Sequence, residues 1–242
     1  MIYVIIGLGL LFIGIGFILT VNNAKYLLSG YNTMNDEQRK NVNIHDYVRF
    51  FRKFHILLGT SLVIIGSGLQ QFTPVFAGIF ITTYPILAYV YFLWKSSSFY
   101  TGSTKSTNKI AIFIMLGTLI FVIGMLTYGL QESELIIDDR QIEIEGKYGE
   151  IIKFERIDSI RLVNALPVIS MKTNGFGLGT IRKGHFRTKS KEQVKLIINS
   201  EQKPLLLLTK SDGKKIFYSA KSKTNQELYA ELKEHLPNKC YE

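Results

Sequence analysis

One segment of this chain combines small residues with cations in a pattern typical of anion binding. Thr173–Gly179 contains three alternating glycines, which allow positive φ angles and close backbone approach. Successive backbone N–H groups beside cations can hold a phosphate or a carboxylate. We therefore predict a ligand or partner loop, followed directly by four basic side chains. The candidate residues are Thr173, Asn174, Gly175, Phe176, Gly177, Leu178, Gly179, Arg182, Lys183, His185 and Arg187.

Two alternatives stay open for this segment. Phe176 and Leu178 project from it, so it fits contact with a bilayer or a protein partner equally well. It also fits a bulged corner between strands that needs glycine for its backbone alone.

The second candidate is a signature loop after the first apolar segment, made of Gly30, Tyr31, Asn32, Thr33 and Met34. The alternative is a rigid turn in which Asn32 and Thr33 satisfy nearby backbone groups.

Other chemistries lack their residue sets. No phosphate-binding fingerprint or nucleophile elbow occurs, and the four histidines are scattered. The net charge is +10, but no nucleic-acid-reading motif accompanies it. We predict no enzyme activity, no cofactor, no metal and no nucleic-acid partner.

The elements that position these residues divide into an apolar half and a polar half. Ile2–Val21, Phe54–Trp94 and Ile110–Leu130 carry no Asp, Glu, Lys or Arg. The middle stretch exceeds the roughly 20 residues of one crossing, and Gln70–Pro74 allows it to turn. We predict four transmembrane helices in residues 1–130, with a basic interfacial loop at 22–53, and a separate domain at 131–242.

The loops between the predicted spans set the orientation. Basic residues follow the first span, the Gln70–Pro74 turn has none, and Lys95, Lys105 and Lys109 follow the third span. The positive-inside rule then places both termini, and with them the C-terminal domain, outside a bacterial cell membrane. In the first loop, Ile44–Phe54 has the pattern of a basic amphipathic helix lying in the membrane interface.

Glycines seven residues apart predict close helix packing, because each pair lies on one helix face. The pairs are Gly7/Gly14, Gly9/Gly16, Gly59/Gly66 and Gly117/Gly124. They fit packing within the bundle or in a homo-oligomer. No Asp, Glu, Lys or Arg lies within the spans, which disfavours a transporter or channel.

The C-terminal half alternates apolar and polar residues as strands do. We predict roughly seven short strands, with Leu205–Leu208 as a central strand, followed by one helix. This order fits a small barrel or a sandwich plugged by the helix. Thr224 and Glu227 form a capping box at the start of that helix. Leu228, Leu232 and Leu236 then line one helix face.

Two resemblances follow from these residues. Gly30–Met34 resembles an uncharacterised family of small bacterial membrane proteins over roughly residues 1–95. Residues 131–236 resemble a bacterial pleckstrin-homology-like (PH-like) domain, through Ile142–Ile144, Thr173–Gly179, Lys183–Phe186, Asp212–Lys214 and the closing helix. The second resemblance implies an all-β, seven-stranded barrel with a C-terminal capping helix.

These features predict a multi-pass membrane protein that presents a PH-like domain as a binding or scaffolding module for a protein, a peptide or a lipid headgroup. The alternative is an accessory subunit of a membrane transport or envelope-stress complex. A membrane enzyme is the third class, and the chain offers no recognisable set of reacting groups for it.

Overall fold

The computed structural model describes residues 1–101 and 107–241 and consists of two compact units, Met1–Leu126 and Thr127–Glu242. The boundary expected from the sequence, after residue 130, lies four residues later. Lys105, used above for the orientation, lies outside the described residues.

The first unit is helical. Its helices are α1 (Ile2–Ile18), α2 (Ala24–Leu27), α3 (Asp36–Lys40), α4 (Ile44–Phe72), α5 (Pro74–Ser96) and α6 (Thr107–Leu130), of which Thr127–Leu130 belong to the second unit.

Glycine brings α1 and α4 into close contact. A Cβ atom on Gly9 would lie 2.2 Å from Val63 Cγ2, and one on Gly59 would lie 2.4 Å from the Gly9 carbonyl oxygen. On Gly66, a Cβ atom would meet Ile5 at 3.1 Å. The predicted packing is confirmed for this pair of helices. It is wrong within the unit for Gly7, Gly14, Gly117 and Gly124, where a Cβ atom would meet no described atom within 4 Å.

A tight turn joins α4 to α5, as the sequence predicted. The Thr73 hydroxyl accepts hydrogen bonds from the N–H groups of Val75 (3.2 Å) and Phe76 (3.3 Å). Pro74 occupies the first turn of α5, where its missing N–H is not needed. Side by side, the two helices bury an aromatic cluster in which Phe50 stacks on Phe92 at 5.4 Å between ring centroids.

Two helical segments are long and apolar enough to cross a membrane, Pro74–Phe99 and Asn108–Leu130. The sequence predicted four. Although apolar throughout, α1 is only 17 residues long. In α4, Asp46 and Arg49 occupy the first turns, and glutamines occupy the last turn. By length and composition, therefore, two of the four predicted spans qualify in the described chain.

The predicted interfacial segment 22–53 contains α2, α3 and the first turns of α4. Tyr47, Val48 and Phe54 are each at most 8% exposed and pack in the aromatic cluster. Neighbouring helices therefore cover this part of the apolar face, and its position in the membrane interface stays a prediction.

The second unit contains two sheets and a helix. Its strands are β1 (Leu135–Ile137), β2 (Gln141–Ile144), β3 (Glu150–Lys153), β4 (Ile157–Val163), β5 (Ile169–Leu178), β6 (Ile181–Thr188), β7 (Gln193–Ile198), β8 (Leu205–Lys210) and β9 (Lys215–Ser219), with α7 (Asn225–His235) before β10 (Cys240–Tyr241).

The predicted seven-stranded closed barrel is wrong. β1, β2 and β3 form one sheet, and the other has the order β10-β4-β8-β9-β7-β6-β5. Its edge strands β10 and β5 do not pair with each other in the described chain, so this sheet is open. Two of its pairs, β7 with β9 and β10 with β4, are parallel.

The core of this unit follows the predicted pattern. β8 lies between β4 and β9, and Leu206 and Leu208 are at most 1% exposed. Against this core α7 packs Leu228 and Leu232, and Leu236, the residue directly after the helix, packs there as well. Its capping box is confirmed, since the Thr224 hydroxyl accepts from Glu227 N at 3.2 Å and Glu227 Oε2 accepts from Thr224 N at 2.9 Å.

Candidate functional site

The predicted ligand loop Thr173–Gly179 is a strand for most of its length. Thr173–Leu178 belong to β5, which pairs antiparallel with β6. Glycine allows the two strands to approach closely here, because a Cβ atom on Gly175 would lie 2.4 Å from the Lys183 carbonyl oxygen. Gly184 has a φ of +125°, and the register shifts near Asn174. The segment is thus a bulged hairpin, so the prediction of a loop conformation is wrong, whereas its ligand or partner role stays a prediction.

The apolar side chains of this hairpin do not form an exposed tip. Phe176 and Leu178 are half-buried. A Cβ atom on Gly129 would lie 2.3 Å from the Phe176 ring, so this ring packs on Gly129 within the second unit. Phe176 therefore has a packing role in this unit.

The four predicted cations do not converge on one site. Lys183 is only 5% exposed, and its Nζ donates to the carbonyl oxygen of Gln131. Burial lowers the pKa of Lys183 to about 8, although the nearby Glu132 opposes this shift. Arg182 is half-buried, whereas His185 and Arg187 are exposed. Since Lys183 points inward, the predicted cation cluster does not form.

A different basic site lies in the second unit. It is a cavity of about 280 Å³, and its charged and titratable lining consists of Glu150, His185, Lys195, Lys210, Lys214 and Lys215. Only His185 belongs to the predicted set. Gln193 and the buried side chains of Val194 and Ile216 complete the lining.

The strand ends and one hairpin position these side chains. Lys195 on β7 lies opposite His185 on β6, and Val194 pairs with Lys215 at the start of β9. Lys210 ends β8 just before the turn at Gly213, which has a φ of +80°. β3 begins with Glu150, after a turn in which the Gly149 N–H bonds to the Gly146 carbonyl at 2.9 Å.

Glu150 bridges two lysines inside the cavity. Lys195 Nζ lies 2.5 Å from Glu150 Oε1, and Lys210 Nζ lies 2.8 Å from Oε2. The two lysine side chains are 13% and 17% exposed. Burial alone would raise the pKa of the Glu150 carboxyl, but the hydrogen bonds from both lysines outweigh burial and lower it. The carboxylate is therefore ionised at neutral pH.

The two lysines at the rim have acidic partners of their own. Lys214 pairs with Asp212 at 2.9 Å, and Lys215 pairs with Glu192 at 2.8 Å. Their side chains are more exposed, at 72% and 38%. The unbalanced charge therefore lies deeper, where two ammonium groups face one carboxylate.

The residues of this cavity were missed because they are far apart in the sequence. Lys210, Lys214 and Lys215 flank the Asp212-Gly213 turn, which entered the sequence analysis only through the PH-like resemblance. That local density of lysines was the one signal available. Glu150 gave none, because its partners lie on strands of the other sheet.

The signature loop Gly30–Met34 is a compact turn in the first unit. Gly30 has a φ of +85°, and the Thr33 hydroxyl donates to the Gly30 carbonyl at 3.1 Å. Arg39 reaches back and donates from Nε to the Tyr31 carbonyl at 3.4 Å, while Met34 is buried. This geometry matches a rigid turn, in which the Thr33 hydroxyl and the carbonyl oxygens of Gly30, Tyr31 and Asn32 have local partners.

The cavity can attract an anion through its lysines. Lysine ammonium groups donate hydrogen bonds, and no described serine, threonine or cysteine side chain lines it. Across residues 1–101 and 107–241, no three His, Cys, Asp or Glu side chains are grouped to hold a metal ion. The site is suited to binding.

Comparison with known proteins gives a match for part of the first unit. Residues 6–100 match a family described as a domain of unknown function, DUF3784. This range runs from within α1 to just beyond α5 and includes the signature loop. No curated protein and no solved structure matches the chain. The resemblance of residues 131–236 to a PH-like domain is therefore without support, and the observed sheets differ from the barrel that it implied.

Proposed function

We propose that this is a multi-pass membrane protein whose β domain acts as a non-catalytic binding or scaffolding module. The observation that carries the proposal is the combination of exposed apolar helices with a β domain that holds a basic cavity. The ligand classes are those expected from the sequence: a protein, a peptide or a lipid headgroup.

The helical surface supports the membrane part of the proposal. In α6, Phe113 is 77% exposed and Ile120 is 72% exposed, and Phe76 of α5 is 59% exposed. Apolar surface costs about 25 cal/mol per Å² in water, and soluble proteins rarely expose continuous apolar patches. A bilayer removes that cost.

The finer proposal is that α1 and α4 share the bilayer with α5 and α6. Their packed faces are joined through Gly9 and Gly59, while Leu10 of α1 and Ile64 of α4 remain 62% and 67% exposed. The loop charges favour an extracytoplasmic β domain in a bacterial cell membrane.

Partner capture tests the binding module. Cross-linking in intact membranes should recover a defined partner with the full chain and lose it when residues 131–242 are removed. If the helices alone still captured the partner, the β domain would not be the binding module.

A labelling experiment on intact cells, with a cysteine introduced in the exposed Asp212–Lys214 turn, should modify that cysteine without permeabilisation. If the cysteine were labelled only after permeabilisation, the β domain would not lie outside the cell.

One observation favours the alternative function, an accessory subunit of a transport or envelope-stress complex. Gly7, Gly14, Gly117 and Gly124 face no described atom at Cβ distance, so a helix of another protein can approach there. Under this alternative, Gly14→Leu or Gly117→Leu abolishes partner capture and removal of residues 131–242 leaves it intact.

A further inference from the structure

The two inner lysines of the basic cavity have unused hydrogen-bonding capacity. An ammonium group carries three N–H donors. In the described chain, Lys195 and Lys210 each donate one hydrogen bond, in both cases to Glu150. Two donors on each ammonium group are therefore free for oxygen atoms entering from the cavity.

The charge of this inner site is also unbalanced. Lys195 and Lys210 contribute two positive charges, and Glu150 contributes one negative charge. These side chains are at most 25% exposed, so solvent screens their interactions less than it screens surface pairs. The remaining positive charge makes the cavity favourable for an anion.

The cavity size limits the ligand to a small group. Its volume of about 280 Å³ lies just below the range of roughly 300–1,000 Å³ found for drug-sized ligands. The four free donors lie on two ammonium groups, each of which contacts a different oxygen of the Glu150 carboxylate. An anion with several oxygens around one centre can accept from both groups at once.

We propose that this cavity binds a small oxyanion of the phosphate type, with Lys195 and Lys210 as its ligands and Glu150 as an internal competitor for the same donors. This inference rests on the proposed binding function and names its ligand class. A free phosphate and the phosphate of a lipid headgroup present the same oxygens to the two lysines.

The probes are inorganic phosphate in solution and vesicles with or without phosphatidic acid. The full chain is purified in detergent and titrated with sodium phosphate by calorimetry. The chain in nanodiscs is then tested for capture of phosphatidylcholine vesicles containing phosphatidic acid. Saturable binding of phosphate alone identifies a soluble ligand, and binding confined to the anionic vesicles identifies a headgroup. Either result supports the oxyanion site, provided that the variants below behave as expected.

Paired variants separate the site from general charge effects. Lys195→Gln or Lys210→Gln should weaken binding about tenfold or more, because each removes a charge-assisted hydrogen bond. Lys189→Gln is the matched control: it removes the same charge from an exposed lysine that does not line the cavity. Glu150→Gln should strengthen binding at least about threefold, since the competing charge is gone.

The opposite sign for Glu150→Gln keeps the test independent of folding defects, since a damaged fold does not bind more tightly. The proposal is overturned if neither probe binds at millimolar concentration. It is also overturned if Lys189→Gln weakens binding as much as Lys195→Gln does, or if Glu150→Gln weakens binding. If phosphate does not bind but the full chain still captures its partner, the oxyanion site is rejected and the proposed binding module is retained. If phosphate binds but the helices alone still capture the partner, the oxyanion site is retained and the β domain is rejected as the binding module.

Discussion

At the scale of single residues, Glu150 links the two sheets of the β domain through its ion pairs. The pKa of its carboxyl lies below the ordinary value of 4.5 in the folded state. A lowered carboxyl pKa stabilises the fold fully above about pH 4.5, and this stabilisation is lost as the pH falls through the folded-state pKa. The thermal midpoint of the β domain should therefore fall between pH 5 and pH 3.

Glu150→Gln tests this pH dependence. The variant should be less stable at pH 7 and should lose less stability on acidification than the unmodified chain, as calorimetry can measure. Glu201→Gln, at an exposed position without an ion pair in the described chain, is the control. Equal pH dependence in Glu150→Gln and the unmodified chain would contradict the assigned ion pairs.

Lys183 gives a pH dependence of the opposite kind. Its pKa is lowered from 10.5 to about 8, so between these values the unfolded chain holds the proton and the folded chain has lost it. Stability then rises with pH across that window. Thermal unfolding at pH 7.5 and pH 9.5 should show this rise, and Lys183→Met should reduce it. In Lys189→Met, a change at an exposed lysine, the rise should persist.

At the scale of elements, the contact of α1 with α4 depends on the absence of side chains. Gly59→Ala should destabilise the helical unit by about 1–3 kcal/mol, because its Cβ would meet the rigid backbone oxygen of Gly9. Gly117→Ala is the matched control, since its Cβ meets nothing within 4 Å among described atoms, and it should stabilise by about 0.5–1 kcal/mol through helix propensity. Unfolding in mixed micelles measures both, and equal effects would reject the packing.

The start of α7 depends on one hydroxyl group. Thr224→Ala should lower the free energy of unfolding by about 1 kcal/mol, because the Glu227 N–H loses its acceptor. Thr224→Ser keeps the oxygen and should be close to neutral in the same denaturant titration. If Thr224→Ser lowered the free energy of unfolding as much as Thr224→Ala, the stabilisation would come from the threonine methyl group and not from the hydroxyl cap.

Local signals account for what the sequence predicted at this scale. The capping box, the Thr73-Pro74 turn and the alternation in β2 each depend on neighbouring residues. The strand β5 was missed because the two glycines in its second half and Gly179 directly after it suggested a loop, whereas strand pairing with β6 decides its conformation. The basic cavity was missed for a related reason: strand order, which the sequence does not reveal, brings Glu150 to Lys195 and Lys210.

At the scale of the whole molecule, the exposed apolar helices predict how the protein partitions. Membranes that contain the protein should retain it after a wash with about 1 M salt, which suppresses electrostatic attraction. They should also retain it after a wash with alkaline carbonate. Detergent should release it. Release by salt alone would mean that the net charge of +10 holds it to anionic lipid and would reject the membrane spans.

The position of β4 in the larger sheet has a consequence for biosynthesis. Both of its neighbours, β8 and β10, come later in the chain, and the strands that follow it directly, β5 and β6, pair elsewhere. While the ribosome makes the intervening residues, the backbone amides of β4 have no partner strand of this sheet. Such an uncovered edge favours association with other nascent chains. The yield of correctly folded chains in the membrane fraction should therefore respond to slower translation after Val163 and to chaperones that shield extended segments.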